Sequence, residues 1–119
     1  MYDKNNIFAR IIRGEIPANK IYEDEYIIAI KDIAPVAPIH ILVLPKKEYT
    51  SFHDFTKNAT TEEIGYFYKI VYKICNDLDL EKDGYRILSN TGDNAMQTVP
   101  HMHLHILAGK SLGNLITKN

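Results

Sequence analysis

A single cysteine, Cys75, leaves no internal disulfide to stabilise this chain and fits a reducing compartment. Positive charge is not in excess either. The 14 lysines and arginines are balanced by 15 aspartates and glutamates, for a net charge of −1 with the histidines neutral. A protein that grips long nucleic acid by charge needs a basic face, so that class is set aside, while a single nucleotide stays open as a ligand. Long apolar stretches are missing too: a run such as Ile41–Leu44 is far too short to cross a bilayer. Met1 to Asn6 is polar and lacks the apolar centre of a secretory signal. The expectation is a soluble, cytoplasmic protein with no membrane partner. Repeats, low-complexity tracts and linkers are also absent, so residues 1–119 read as one domain. At 45% apolar and 24% charged residues the composition is that of a globular chain. A domain this small buries one core, and dimerisation would add burial.

What is present reads as α+β. Ile7, Phe8, Ile11 and Ile12 make one face of a short helix over Ile7–Arg13, with Asp3 or Asn5 as its cap and Gly14 and Pro17 ending it. Ile21–Glu23 and Tyr26–Lys31 read as a hairpin. Pro35 and Pro38 punctuate a turn before the strand Ile39–Leu44, which stops at Pro45. Thr60 and Glu63 fit a capping box, and Ile64, Phe67, Val71, Ile74, Cys75 and Leu78 form the apolar face of a long helix ending near Gly84. Strands Tyr85–Ser89 and Met102–Leu107 flank a turn-rich loop, Asn90–Pro100. About five strands, mostly in runs, and two helices predict an antiparallel sheet with its helices on one side.

The chemistry concentrates in His101-Met102-His103-Leu104-His105, followed by Ile106 and Leu107. Alternation along a strand puts His101, His103 and His105 on one face and Met102, Leu104 and Ile106 on the other. His40, in another predicted strand, is placed to join them. Such a row fits solvent-facing histidines, a histidine-bound metal, a pH-sensitive binding module or nucleophilic catalysis by imidazole. The loop Asn90–Thr98 leads into the row and offers amides, a hydroxyl and free N–H groups, the donors that a phosphate needs. This favours nucleophilic catalysis by imidazole, beside donors suited to a phosphate.

The His-x-His-x-His pattern resembles that of the histidine-triad superfamily. Ile7–Pro17, Asp32-Ile33-Ala34-Pro35 and Pro38–Lys47 are similar to segments of its nucleotide-binding (Hint) branch, in the same order. The likeness runs from about Asn6 to Gly109 and leaves the tail, residues 110–119, as a variable segment. It implies hydrolysis of purine nucleoside phosphoramidates or aminoacyl adenylates, conjugates of AMP or GMP, with no cofactor and no metal. By this resemblance His103 is the nucleophile on the α-phosphorus, His105 contacts the phosphate, and His101 orients His103 through its carbonyl. His40 supports the row, Thr98 helps protonate the leaving group, and Asn90 lies on the phosphate side. Asp32 matches the ribose-binding aspartate. Ile7, Phe8, Ile11, Ile30 and Leu42 match the base pocket, with Ile33 beside Asp32 and Gln97 of the loop completing the expected substrate contacts. The branch forms homodimers whose sheets join across a two-fold axis. Met96 departs from it, standing where a small glycine is usual and where a long side chain would crowd the phosphate. Two further readings stay open: a nucleotide-binding sensor with little catalysis, and a dinucleoside polyphosphate hydrolase.

Overall fold

A computed structural model describes residues 1–116; residues 117–119 of the tail lie outside the described residues. Five strands form one antiparallel sheet in the order β1-β2-β3-β5-β4. They are β1 (Lys20–Glu23), β2 (Ile27–Lys31), β3 (Ile39–Pro45), β4 (Tyr85–Leu88) and β5 (Leu104–Ala108). The helices are α1 (Ile7–Ile12), α2 (Phe52–Asn58) and α3 (Thr61–Asp77). None of the described helices is long and apolar enough to cross a membrane.

The central strands are apolar at nearly every position, so both faces of the sheet need cover. On one face Ile27, Ala29, Ile41, Val43, Leu104 and Ile106 pack against Phe55 of α2 and against Phe67, Val71 and Ile74 of α3. On the other, Ile28, Ile30, Leu42 and Leu44 pack against Phe8 and Ile11 of α1. The expectation of helices on one side only is therefore corrected. A helix of six residues spans about 9 Å, so the second face is covered along part of its length, and the histidines lie on that face.

Local chemistry accounts for the element ends. Asn6, rather than Asp3 or Asn5, caps α1: its Oδ1 accepts from Ala9 N–H at 2.9 Å. The Thr60–Glu63 capping box starts α3 as expected. That helix stops at Asp77, not near Gly84; Leu80 N–H folds back to Cys75 O across Asp79, whose φ is +58°. Sequence reading has no place for α2, which buries only Phe55 and so carries no apolar stripe. Ser51 caps it, accepting from Asp54 N–H.

The strand expected from Met102 begins at Leu104 instead. Pairing with β3 starts at Val43 opposite Leu104. Two residues further, β3 ends in Pro45, which has no N–H to give, and the Pro45 carbonyl accepts from the His101 ring at 2.7 Å. Met102 N–H turns to Tyr49 O at 2.7 Å. His101 and His103 thus sit on a lead-in that the His101 ring and the Met102 amide hold in place of a ladder.

Candidate active site

Three of the four histidines expected in the site, His40, His103 and His105, stand together. Leu42 lies opposite His105 in the β3–β5 pairing and His40 opposite Leu107, so all share the α1 side of the sheet. The rings of His103 and His105 are 5.1 Å apart, as are those of His40 and His105. Phe8 of α1 meets His103 edge-on at 4.8 Å and His101 at 6.4 Å. His101 itself is fully buried.

The hydrogen bonds set the tautomers of the three clustered rings. His103 Nδ1 lies 2.8 Å from His101 O. A carbonyl only accepts, so Nδ1 carries the proton and Nε2 keeps a lone pair. Val36 N–H donates to His40 Nδ1 at 3.1 Å, which leaves the His40 proton on Nε2. That Nε2–H faces His105 Nδ1 at 2.9 Å and Asp32 Oδ2 at 3.3 Å. His105 Nδ1 accepts, so its Nε2 carries a proton. The site therefore presents one bare nitrogen, on His103, beside one N–H donor, on His105. No buried side-chain nitrogen or oxygen among the described residues lacks a partner, so these two Nε2 atoms, which make no hydrogen bond there, open to solvent.

Burial favours the neutral form of His101, His103 and His105. It pushes His105 down to about 4, helped by the neighbouring His103 and His40, and pushes His101 down to about 4 against the pull of the Pro45 carbonyl. His103 is lowered for the same reason, offset by its bond to the His101 carbonyl. Asp32, His40 and His105 place ligand-type atoms within 4.8 Å of one another, a spacing a metal ion could bridge. In the hydrogen-bonded form, however, both His40 nitrogens are engaged, one accepting and one protonated, so no lone pair is left for an ion.

The other expected residues divide. Asp32 is half-buried beside His40, with Oδ1 accepting from Ala34 N–H at 2.8 Å. Phe8, Ile11, Ile30 and Leu42 are packed in the core on the site's face. Ile7 is 42% exposed and Ile33 is 93% exposed. Asn90 is half-buried and Thr98 exposed, at the two ends of the loop that leads to the histidines. Gln97 braces that loop: its amide donates to Thr50 O and Val99 O and accepts from Gly92 N–H. Met96 turns its side chain out to solvent, 79% exposed, with φ at +61°. Sequence reading misses Ser89, whose hydroxyl donates to His103 O at 2.7 Å. A serine at a strand end carries no signal of such a role. A cavity of about 580 Å³, lined by Tyr26, Tyr49, Phe55 and Tyr66 among others, includes none of the expected site residues.

An antiparallel α+β sheet carrying a histidine cluster of fixed tautomers defines the class. Comparison with known proteins names the family: a model of the HIT domain matches residues 13–112, and the chain belongs to the HIT family. It is 48% identical over 119 residues to an uncharacterised HIT-like protein of Rickettsia prowazekii, covering 100% of this chain and 99% of the relative. It is 34% identical over 113 residues to the purine nucleoside phosphoramidase of Escherichia coli K12, covering 95% and 94%. A solved HIT family hydrolase from Legionella pneumophila matches with a TM-score of 0.85 at 35% identity, over 92% of this chain and 96% of that one. The chain is thus similar to HIT family hydrolases.

Proposed function

We propose that this protein hydrolyses purine nucleoside phosphoramidates through a nucleotidyl-histidine intermediate. The observation that carries the reading is the His103 tautomer: Nδ1–H bound to His101 O, and Nε2 bare and open. A neutral imidazole approaches an anionic phosphate without charge repulsion and leaves readily in a second step. In the first step the Nε2–P bond forms and the P–N bond to the amine breaks, the amine departing with a proton that the Thr98 hydroxyl helps deliver. As His103 gains positive charge, the His101 carbonyl on Nδ1–H stabilises it. In the second step water forms a P–O bond, the Nε2–P bond breaks, and the nucleoside monophosphate and a proton are released. His105 Nε2–H, with Asn90 beside the loop, donates to the phosphate oxygens as charge builds on them.

Asp32 accepts from the ribose hydroxyls. The base lies against exposed apolar side chains, Ile7 and Ile33, with Phe8, Ile11, Ile30 and Leu42 as the wall behind. Few polar contacts to the base favour purines for their larger apolar surface, as AMP or GMP conjugates. Gln97 contributes by bracing the loop. The whole chain acts as one domain in the cytoplasm, with no metal or other cofactor. It pairs as a homodimer: β4 is an edge strand, and its Tyr85 and Ile87 remain exposed apolar residues that a second copy would cover.

The test is turnover of a fluorogenic adenosine phosphoramidate by the wild type and by His103→Ala. Activity lost in the variant, with adenosine monophosphate binding retained, is the expected result. A wild type that binds the monophosphate without turnover would replace the enzyme by a nucleotide-binding module.

A further inference from the structure

Tyr2 lies outside the segments that carry the site, yet it reaches His101 beneath it. Its hydroxyl stands 2.6 Å from Nδ1 of His101, and the two rings meet edge-on at 5.6 Å. The opposite nitrogen, Nε2, donates to Pro45 O at 2.7 Å. That bond puts the His101 proton on Nε2, so Nδ1 is an acceptor and Tyr2 must be its donor. The His101 ring is clamped at both ends, in one flip state and one tautomer.

The clamp matters because of where His101 sits. Its carbonyl receives His103 Nδ1–H, and the β3–β5 ladder begins only at Leu104. No ladder bond holds that carbonyl; its peptide is tied on one side by Met102 N–H to Tyr49 O at 2.7 Å, and the His101 ring anchors the residue on the other. Residues 1–6 are themselves anchored: Arg13 Nη1 donates to Lys4 O at 2.7 Å, Lys4 pairs with Glu48 at 3.0 Å, and Asn6 Nδ2 donates to Asp3 O at 2.8 Å. Tyr2 is therefore delivered by a braced segment.

We propose that Tyr2 is a positioning residue for the nucleophile, holding the His101 ring and through it the carbonyl that aims His103. This rests on the reading of His103 as the nucleophile. Loss of the hydroxyl leaves a buried ring nitrogen without a partner and frees the ring to rotate.

The experiment uses the full chain with Tyr2→Phe and Tyr2→Ala. Kinetics on the fluorogenic phosphoramidate are paired with NMR correlations of the ring nitrogens in 15N-histidine-labelled protein. Tyr2→Phe is expected to lower kcat about tenfold with KM within about twofold, to shift His101 Nδ1, and to weaken the His103 Nδ1–H signal. Tyr2→Ala should lose little more kcat than Tyr2→Phe. Wild-type kcat and an unchanged His103 signal in Tyr2→Phe would overturn the proposal, as would a loss confined to Tyr2→Ala, which would make the aromatic ring a mere cover. A wild type without turnover would fail the enzymatic reading alone. The His103 ring signal would then still decide, its persistence in Tyr2→Phe counting against the clamp and its loss for it.

Discussion

Nε2 of His40 stands 2.9 Å from Nδ1 of His105, and Val36 N–H, bonded to His40 Nδ1, sets the direction of that bond. A backbone amide thereby determines that His105 offers an N–H rather than a lone pair to the solvent side. His40→Ala removes the control. His105 is then free to take the other tautomer, in which its outward nitrogen would repel phosphate oxygens. The expected result is a fall in kcat of about 10- to 100-fold, with the monophosphate still bound. Single-turnover kinetics and the ring-nitrogen shifts of His105 read it, and a wild-type kcat would rule the relay out.

Acid should destabilise the fold in a window that His101 and His105 define. Both are held at about 4 in the folded chain by burial, against about 6.5 for an unfolded histidine. Between those values the unfolded chain binds more protons, so stability rises with pH across the window and is complete above about 6.5. It is lost as pH falls toward 4. For the fully buried His101 the loss is on the order of 3 kcal/mol. Urea unfolding at pH 7, 6, 5 and 4 measures the slope, and His101→Gln, with no titratable ring, should flatten part of it.

The parts of this fold with a strong local pattern are legible in the sequence. Thr60 and Glu63, followed by an apolar stripe, mark the start of α3, and the β-branched run before Pro45 marks β3. The His-x-His-x-His row locates the candidate site. Its internal wiring is not legible, because it depends on partners far apart in the chain: His40 with His105, Tyr2 with His101, Ser89 with the His103 carbonyl. The start of β5 escapes sequence reading for a related reason. Alternation predicts a strand from Met102, but Pro45 opposite has no N–H and its carbonyl is taken by a side chain. The end of α3 is equally hidden, because Leu78 and Leu80 continue an apolar pattern through turns.

Ile33 exposes 93% of a large apolar side chain immediately after Asp32. With the ribose on Asp32, an adjacent base would cover it. Truncation by Ile33→Ala should raise the dissociation constant for adenosine monophosphate about five- to tenfold, from lost apolar burial of the order of 1 kcal/mol. The folded chain alone should be almost unaffected, since the side chain touches little in it. Calorimetric titration and a melting curve separate these effects. Unchanged affinity would move the base away from Ile33.

Met96 holds a backbone conformation that side chains resist. Its φ of +61° lies in the left-handed region, and its N–H closes the short 3-10 turn of Asp93–Ala95 by bonding to Asp93 O at 2.9 Å. For a residue with a Cβ this geometry costs about 1–2 kcal/mol, and glycine escapes most of that while losing more chain entropy on folding. Met96→Gly should therefore stabilise the protein by about 0.5–1 kcal/mol. Because the side chain points to solvent, no gain in space at the phosphate accompanies the change, and kcat should stay within about twofold. Denaturant midpoints test the first statement and phosphoramidate turnover the second. A large rise in kcat would mean that Met96 folds over the phosphate once substrate is bound, restoring the obstruction that its position in the sequence suggests.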